Sequence, residues 1–519
     1  MQDNEPNYLY LGDNLRIMRE QIRDACADLV YLDPPFNSGS AYTAVLPAPG
    51  DGSRTEIEAF DDRWEWDAGS ERTYGDLVSE GAGPLVNLVL SLRRLLGEGD
   101  LLAYLLMITA RLVELRRILK PSGTLYLHCD PTASHYLKVI LDVIFGRDGF
   151  LNEIIWKYEG PQSPSPVRFA TRHDIIFRYG RDANMIDVSE EGLYLETPMS
   201  EEEARRKRYR QDERGRWYYD TPTGDYSERS LLRLEEADRI RRTRTGKRRV
   251  KHFLKQNKDG LVIRTKKMAD VWDDIPSLGL AAASREKLGY PTQKPEALLE
   301  RIIRADSRPG QVVFDPFCGC GTALVAAERL NRRWMGADVS HLAIALTRYR
   351  LAASFGSDLR PHCLKGVPDD LAGVMALARS DPAQFSLWAL ALLGARPVTA
   401  GTDGTGGLIT VRDPGGGHPT RAVVRISTGS VTAGEVRELE QTVNGDGAEI
   451  GVIIAAKRPT GEAVRAAQSA GAPGAGSIGE EPRPRIQILT AEDLLRGERP
   501  RLPSAGCGED RRPRQQRLF

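Results

Sequence analysis

The sequence predicts an α/β protein with a doubly wound, mainly parallel sheet, an inserted region and a smaller α/β C-terminal domain. Strand and helix patterns alternate from residue 8 to 145, and the alternation resumes at 291. Between them, residues 190–270 are strongly charged with interleaved aromatic residues, and a further region with its own strands and helices begins near 381. A chain of 519 residues is long enough for two or three domains with sizeable cores.

The first part of the chain supplies most of the predicted sheet. Residues 8–32 have a strand, helix, strand pattern, and 101–119 has helical periodicity that ends at a Pro-Ser-Gly turn. A strand over 124–127 and a helix over 133–145 follow. Residues 37–80 are rich in Gly, Ser, Asp and Pro, which predicts a long loop that is either functional or disordered.

The remaining chain divides by composition. A helix is predicted over 295–305, and the C-terminal region has a helix at 384–393, a glycine-rich stretch at 401–417 and strands at 422–426 and 449–455. We expect five segments: a first α/β half (1–159), an inserted region (160–288), a second α/β half (289–365), a C-terminal domain (381–498) and a disordered basic tail (499–519).

The most informative short segment is Tyr31-Leu32-Asp33-Pro34-Pro35-Phe36, which ends an apolar run. Proline has no N–H and cannot extend a helix or a central strand, so the chain must change direction after Asp33. The carboxylate and the Pro34 carbonyl are thereby held at the carboxyl end of a strand. Open α/β sheets bind their ligands at this edge.

A second informative segment runs from Val313 to Thr322 and reads VFDPFCGCGT. A strand over 311–314 leads into a turn in which Gly319 and Gly321 allow a ligand to approach the backbone, and a helix begins near Thr322. The two cysteines of the turn have no metal-site or disulfide spacing, and we interpret them as small residues that fill a tight loop.

Together these segments closely resemble the S-adenosylmethionine-dependent methyltransferases that modify amino groups in DNA. Their order, with the Asp-Pro-Pro-Phe segment before the glycine-rich loop, is similar to the β class of that family. The resemblance covers about residues 7–350 and includes further segments at 10–14, 123–130, 290–296 and 334–340. It implies that 1–159 is the catalytic half, 160–288 an inserted target-recognition region and 289–365 the cofactor-binding half.

The resemblance implies chemistry at Asp33, Pro34, Pro35 and Phe36. An exocyclic amine is a poor nucleophile, so a site that methylates it must hold both N–H protons with acceptors. The Asp33 carboxylate and the Pro34 carbonyl are such acceptors, and Phe36 offers a stacking face of about 1–3 kcal/mol for a flipped base. Adenine N6 is the preferred target, because Asp in the first position is commoner among adenine enzymes. Cytosine N4, or a silent DNA-binding or sensing protein, is the alternative.

The resemblance also implies a set of cofactor-binding residues. The glycine-rich loop wraps the methionine part, an acid at the end of the next strand accepts the ribose hydroxyls, and two weaker matches lie near the cofactor. These residues are Asp315, Phe317, Gly319, Gly321, Asp338, Asp13 and Lys294. Asp13 has the competing interpretation of a turn acid. The mechanism requires neither His128 nor Asp130, and we interpret both as structural. It requires no metal.

Lys and Arg balance Asp and Glu, 72 against 72, so overall charge indicates no partner, but its distribution does. The stretch from 239 to 258 holds ten Lys or Arg and no acid. Inside the insertion of a DNA enzyme, such a run predicts phosphate contacts to double-stranded DNA. The predicted contacts are Arg241, Arg242, Arg244, Lys247, Arg248, Arg249 and Lys251.

The C-terminal region contains the segments FSLWALALLGARP at 385–397 and PRIQILT at 484–490. With these segments it resembles an Mrr-like restriction-endonuclease fold, but it departs from the nuclease pattern. Gly407 stands where the family has a metal-binding acid, and Arg425 and Ser427 replace the Gln and Lys of the next strand. Asp403 alone cannot rebuild a magnesium site. We expect a nuclease fold without nuclease chemistry, kept for binding DNA or a partner.

The N-terminus has no signal sequence, and the longest apolar run is too short to cross a bilayer. We therefore expect a cytoplasmic protein with no membrane partner. The family resemblance leaves open a restriction subunit or defence-system partner and a homodimer.

Overall fold

The structure is a computed structural model, and it describes residues 5–47, 54–81, 83–159, 167, 169–186, 190–279, 286–400, 404–411, 420–445, 447–471 and 484–502. Residues 188–270 form one compact unit, and the rest of the chain forms another. Across these described residues, none of the helices has both the length and the apolar character needed to cross a bilayer.

The first part of the chain alternates strands and helices as predicted, but residues 37–80 are not one long loop. They contain a hairpin in which the Tyr42 and Phe60 rings stack with centroids 4.9 Å apart, and a helix follows. The elements are β1 (Asn7–Leu11), α1 (Asn14–Gln21), β2 (Ala27–Leu32), β3 (Ala41–Pro47), β4 (Arg54–Asp61), α2 (Ala68–Glu80), α3 (Gly83–Leu96), α4 (Asp100–Ile118), β5 (Leu119–Cys129), α5 (Pro131–Phe145), β6 (Phe150–Lys157) and β7 (His173–Gly180).

The compact unit of residues 188–270 consists of two antiparallel sheets. Its elements are α6 (Glu190–Leu193), β8 (Tyr194–Met199), α7 (Glu201–Arg206), β9 (Arg210–Gln211), β10 (Trp217–Pro222), α8 (Glu228–Glu236), β11 (Ile240–Arg242), β12 (Arg248–Phe253), β13 (Lys255–Gln256) and β14 (Val262–Lys267). The sheet orders are β11-β12-β10-β9 and β13-β14-β8. A helix followed by a hairpin occurs twice, as α7–β9–β10 and α8–β11–β12, and Ser200 and Ser227 cap the two helices.

The chain then returns to the main sheet through β15 (Val271–Trp272), α9 (Glu296–Asp306), β16 (Val312–Asp315), α10 (Thr322–Arg329), β17 (Arg333–Asp338), α11 (His341–Phe355) and β18 (His362–Lys365). The nine-stranded order is β15-β6-β7-β5-β2-β16-β17-β1-β18. Only β7 runs antiparallel to its neighbours. Because β7 and β15 pair within this sheet, the compact unit is shorter than the predicted insertion of 160–288.

Helices cover both faces of the main sheet. Alternate residues of β2 point to opposite sides, so Leu29 and Tyr31 pack into the core under α9, α10 and α11, whereas Val30 and Leu32 pack into the core under α1, α4 and α5. All four side chains are buried. Burial on both sides explains the nearly continuous apolar run in the sequence and confirms the doubly wound class.

The C-terminal part of the chain folds around a five-stranded sheet of order β19-β20-β21-β22-β23. Its elements are α12 (Leu371–Ser380), α13 (Pro382–Leu393), β19 (Arg396–Ala400), β20 (Gly404–Val411), β21 (Thr420–Ser427), α14 (Ala433–Gly445), β22 (Ile450–Ala455), α15 (Gly461–Ser469), β23 (Ile486–Thr490) and α16 (Ala491–Leu495). Part of the glycine-rich stretch is thus the strand β20. From residue 503 the predicted disordered tail lies outside the described residues.

Candidate active site

Four neighbouring parallel strands, β2, β16, β17 and β1, end at the same edge of the main sheet. Each strand ends at an aspartate, or no more than two residues before one, that sequence reasoning had selected: Asp33, Asp315, Asp338 and Asp13. Parallel pairing therefore brings together acids that are up to about three hundred residues apart in sequence. This row of carboxylates forms the floor of the candidate site.

Asp33 pairs with Lys294, which reaches it from the segment that precedes α9. Lys294 Nζ donates to Asp33 Oδ2 at 2.6 Å and to the carbonyl of Thr292 at 3.3 Å. The two ion-paired side chains are 9% and 15% exposed, so water screens the pair only partly. The role predicted for Lys294, binding the cofactor carboxylate, stays a prediction, because the contact that the structure provides is with Asp33.

The turn after Pro35 is held by Asp62, a fully buried carboxylate at the end of the β3–β4 hairpin. It accepts hydrogen bonds from the backbone N–H groups of Phe36 (3.2 Å), Asn37 (2.9 Å) and Ser38 (2.8 Å) and from Trp64 Nε1 (3.0 Å). Sequence reasoning missed Asp62, because it lies within the stretch predicted as a loop. The carboxylate fixes the backbone that carries Phe36.

The glycine-rich loop uses its two glycines differently. Gly319 has φ of +49° and donates its N–H to Asp338 Oδ2 at 2.9 Å, and a Cβ at this position would lie 3.2 Å from the Tyr290 ring. Gly321 has φ of +78°, and a Cβ there would lie 2.7 Å from Thr347 of α11. Gly319 thus borders the site, while Gly321 permits the close packing of loop and helix.

Asp338 is oriented by its own backbone surroundings. Its Oδ1 accepts the N–H of Ser340 at 2.8 Å, and its Oδ2 accepts the N–H of Gly319. Burial raises the pKa of this carboxyl to about 6, against the opposing effect of these backbone donors. The carboxylate is therefore held in one orientation, with a protonation equilibrium close to neutral pH.

Asp315 lies between Asp33 and Asp338 in the row and is buried. It accepts the N–H of Phe317 at 3.0 Å, which tightens the start of the glycine-rich loop. Burial raises the pKa of Asp315 well above its usual range, and the neighbouring charges of Asp33 and Asp338 raise it further. Burial and the two neighbouring carboxylates thus act in the same direction, against the charged form of Asp315.

Asp13 is both the N-cap of α1 and part of a polar network. Arg111 of α4 donates from Nη2 to Asp13 Oδ2 at 2.6 Å and from Nε to Asn14 Oδ1 at 2.5 Å. Asn14 in turn donates to the carbonyl of Pro316 at 2.6 Å. Sequence reasoning predicted neither Arg111 nor Asn14 as site residues. The Asp-Asn pair after β1 was the only sequence feature that pointed to this network. Together these residues position the turn after β16.

A single cavity of about 730 Å³ is bounded by these elements. Its walls include ten of the eleven predicted catalytic and cofactor residues: Asp13, Asp33, Pro34, Pro35, Phe36, Lys294, Asp315, Phe317, Gly319 and Asp338. Tyr31, Tyr290, Trp64 and Met107 add apolar surface. The volume lies within the range of about 300–1,000 Å³ typical of cofactor sites, and the fixed carboxylate with a glycine cradle suits a nucleoside.

His128 lies beneath the catalytic segment rather than in the cavity. Its Nδ1 is 3.0 Å from the Tyr31 hydroxyl and its Nε2 is 2.9 Å from Asp174 Oδ2, and Asp174 Oδ1 also accepts from Tyr158. The imidazole is fully buried. Asp130 caps the N-terminus of α5. Both positions agree with the structural interpretation of the two residues.

Most of the basic run in residues 188–270 is occupied by ion pairs within that unit. Arg241 and Arg249 both bind Asp220, and the other pairs are Arg242–Glu235 (2.7 Å), Arg248–Glu228 (2.7 Å) and Lys251–Asp238 (2.9 Å). Arg244 and Lys247 lie exposed at the β11–β12 turn, and neither forms an ion pair within the described ranges. Seven cations of one sequence run thus separate into five paired and two unpaired.

The predicted nuclease position Gly407 lies inside the C-terminal fold. It pairs with Val424 of β21, and a Cβ at this position would lie 2.2 Å from Leu390 of α13. An acidic side chain would therefore collide with the helix unless the packing changed. Asp403, the remaining acid of the turn, lies outside the described residues.

A DNA methylase family model (N6_N4_Mtase) matches residues 27–348, and a model described as NACHT-associated inactive Restriction Endonuclease 1 matches residues 395–496. The first match spans more than half of the chain. The chain therefore belongs to the DNA methylase family of N6- and N4-amino methyltransferases, with a restriction-endonuclease-like domain at its C-terminus. S-adenosylmethionine is its methyl donor.

Individual proteins of known sequence or structure are similar to large parts of this chain. Type II methyltransferase M.EcaI of Enterobacter cloacae is 27% identical over 67% of this chain and 70% of its own. The Type III restriction-modification enzyme StyLTI Mod subunit of Salmonella typhimurium is 25% identical over 63% of this chain and half of its own length. The solved Thermus thermophilus protein TTHA0409, in complex with S-adenosyl-L-methionine, covers 70% of this chain and 99% of its own at 18% identity, with a TM-score of 0.34.

Proposed function

We propose that this protein transfers a methyl group to the exocyclic amine of a flipped base in double-stranded DNA, with adenine N6 as the preferred target. The observation that carries this proposal is the position of Asp33 and Phe36 on the same cavity as Asp338 and Gly319. The proposed acceptor for the amine of the base and the proposed nucleoside-binding residues thus line the same cavity.

The proposed chemistry requires two acceptors for the amine. S-adenosylmethionine, when bound, would supply a methyl group on a sulfonium. The amine would form the N–C bond as the C–S bond breaks, and the proton lost by the amine would pass to water. Asp33 Oδ2 is held by Lys294, whereas Oδ1 receives no hydrogen bond from the described residues. Oδ1 and the Pro34 carbonyl are the acceptors that would bind the two amine protons and direct the lone pair at the methyl group.

Phe36 would hold the ring of the base. Asp62 fixes its backbone, and Lys294 Nζ lies 5.1 Å from the centre of its ring. Stacking on an aromatic ring contributes about 1–3 kcal/mol per base and is tolerant of sequence, so it offsets part of the cost of flipping. Base identity would then depend on the cavity walls and on contacts made by the rest of the DNA site.

At the other end of the cavity, Asp338 is proposed to accept the ribose hydroxyls, as an acid at this strand edge does in dinucleotide folds. Asp315, Phe317 and Gly319 would border the methionine part, with Asp13 and Lys294 nearby. Gly321 would act indirectly, through the packing of the loop on α11.

The unit of residues 188–270 is proposed to recognise the target DNA. Arg244 and Lys247 are its best candidates for phosphate contacts, because their charges are not neutralised by acids in the described residues. The five ion-paired cations would contribute mainly to the fold of the unit. Such an enzyme would work on DNA in the cytoplasm, and a restriction subunit as partner is consistent with the StyLTI Mod relative.

The C-terminal domain is proposed to bind DNA or a partner without cutting DNA. Support comes from the buried, crowded position of Gly407 and from Ser427 at the end of β21, since neither can supply the acid or lysine of a magnesium-dependent nuclease.

Base and mechanism can be tested together. DNA from cells that express the wild type or Asp33→Ala is sequenced by a method that detects modified bases, and purified proteins are assayed for tritium transfer and calorimetric cofactor binding. We expect N6-methyladenine only with the wild type, and similar cofactor binding for both proteins. N4-methylcytosine would identify the alternative target, and wild-type turnover by Asp33→Ala would refute the mechanism.

A further inference from the structure

Helix α13 of the C-terminal domain contributes to two hydrophobic cores. Phe385, Trp388 and Leu390 pack in the core of the five-stranded sheet, whereas Leu387 and Ala391 pack in the core that also contains α9, α10 and α11. All five side chains are buried. Residues spaced by three and four lie on one side of a helix, so α13 presents one face to each domain.

The face of α13 that meets the methyltransferase lies against α11. A Cβ on Gly394 would be 3.4 Å from the Cβ of Ala352, and the Arg396 guanidinium lies 5.9 Å from the centre of the Tyr349 ring. Strand β19 also lies next to β3 of the hairpin that holds the catalytic turn. The C-terminal domain is therefore packed directly on the elements that form the active-site cavity.

Two residues of this face, Gln384 and Leu387, line the cavity itself, together with Asp338, Ser340 and His341. Leu387 is buried, whereas Gln384 is half-buried. The backbone N–H of Gln384 is used by Asp381, the N-cap of α13. Its side-chain amide makes no hydrogen bond with the described residues. An amide that borders a cavity in this way has both a donor and an acceptor available for a ligand.

We propose that the nuclease-like domain completes the cofactor site of the methyltransferase. In this arrangement Gln384 hydrogen-bonds the adenosine part of S-adenosylmethionine, and Leu387 forms an apolar wall beside it. The adenosine part is chosen because Gln384 shares its side of the cavity with Asp338, the proposed acceptor of the ribose hydroxyls, and with the start of α11. The inference rests on the proposed placement of the cofactor.

This arrangement gives the C-terminal fold a use that needs no nuclease chemistry. Because α13 belongs to both cores, a bound cofactor would stabilise α13 in its packed position. A partner that displaced α13 would weaken cofactor binding by the same factor by which the cofactor weakens binding of that partner. A domain that binds DNA or protein would thus be able to change the occupancy of the methyl donor.

The test measures S-adenosylmethionine binding to the full-length protein by calorimetry, which does not depend on methyl transfer or on the target base. Loss of one neutral hydrogen bond, about 0.5–1.5 kcal/mol, predicts that Gln384→Ala raises Kd by about 2- to 13-fold. KM for the cofactor should rise in the same ratio, with a smaller change in kcat. Gln441→Ala, on the exposed surface of α14 in the same domain, is the matched control and should bind as the wild type does.

Hydrogen exchange provides a second measurement that does not depend on a substitution. Cofactor should slow amide exchange in α13 of the wild-type protein and leave α14 unchanged. Equal Kd values for the wild type and Gln384→Ala, or no cofactor effect on α13, would overturn the inference while leaving the methyltransferase assignment intact. A wild type that binds no S-adenosylmethionine would instead overturn both.

Discussion

Replacing Lys294 by Met separates two roles for this residue, because sequence reasoning assigned it to the cofactor and the structure pairs it with Asp33. Methionine keeps much of the length and apolar volume of the side chain but removes the ammonium. If Lys294 acts by orienting Asp33, the substitution lowers kcat and leaves cofactor affinity nearly unchanged. If it binds the cofactor carboxylate, Kd for S-adenosylmethionine rises instead.

The magnitude follows from the geometry of the pair. Lys294 Nζ and Asp33 Oδ2 are 2.6 Å apart and both side chains are largely shielded from water. A hydrogen bond to a charged group contributes about 1.5–3 kcal/mol. If that energy serves to fix Asp33 in the transition state, kcat falls by about 10- to 150-fold.

The assay is tritium transfer at saturating cofactor, with calorimetric titration of S-adenosylmethionine in parallel. Lys120→Met is the matched control, because Lys120 pairs with Asp28 at 2.7 Å near the opposite end of β2. The control should lower thermal stability without changing kcat or Kd. A Lys294→Met protein with wild-type kcat and a tenfold weaker Kd would show that the orienting role is wrong.

Three further predictions follow from the structure. The pKa of Asp338 is raised to about 6, so this carboxylate becomes protonated just below neutral pH. If it accepts the ribose hydroxyls, cofactor affinity measured by calorimetry is full above about pH 7 and falls as the pH decreases through 6. Asp338→Asn should bind the cofactor weakly at every pH, without this dependence. Removing Arg244 and Lys247 together should weaken DNA binding and reduce the slope of log affinity against log salt concentration by about 0.9 per lost phosphate contact. Replacing the ion-paired Arg242 by Ala should have a smaller effect. An unchanged slope for the double variant would mean that the turn does not touch DNA. Supercoiled plasmid incubated with the protein and magnesium or manganese should remain uncut, and linear product that disappears on mutating Asp403 would show an active nuclease.

Sequence reasoning was most successful where local backbone chemistry restricts the structure. The prolines after Asp33 and the glycines after Asp315 end their strands whatever the rest of the chain does, and parallel pairing then places both acids at one edge. The strands and helices of residues 8–32 and 101–145 could also be predicted from periodicity, whereas β7 fell within the predicted insertion and only its pairing with β5 and β6 places it in the main sheet. The β3–β4 hairpin could not, because its signal is the burial of residues such as Ala44 and Leu46 against distant elements.

Only the tertiary structure identified the residues that support the site. Asp62 holds the catalytic turn, and Arg111 and Asn14 hold the turn after β16. Lys294 was selected from the sequence, but its partner Asp33, 261 positions away, was not. A side chain's partner depends on which elements pack together, and composition and spacing do not contain that information.

The basic run and helix α13 also show what the sequence alone could not predict. Sequence treated seven neighbouring cations as equivalent, whereas the fold neutralises five of them with acids brought near by strand pairing. The sequence pattern placed α13 in a separate domain, whereas packing gives one face of the helix to the cofactor cavity. The sequence by itself determined the chemistry of the strand ends, because proline, glycine and acid act locally; the tertiary structure decided which charges stay available and which helix closes the site, because those depend on long-range contacts.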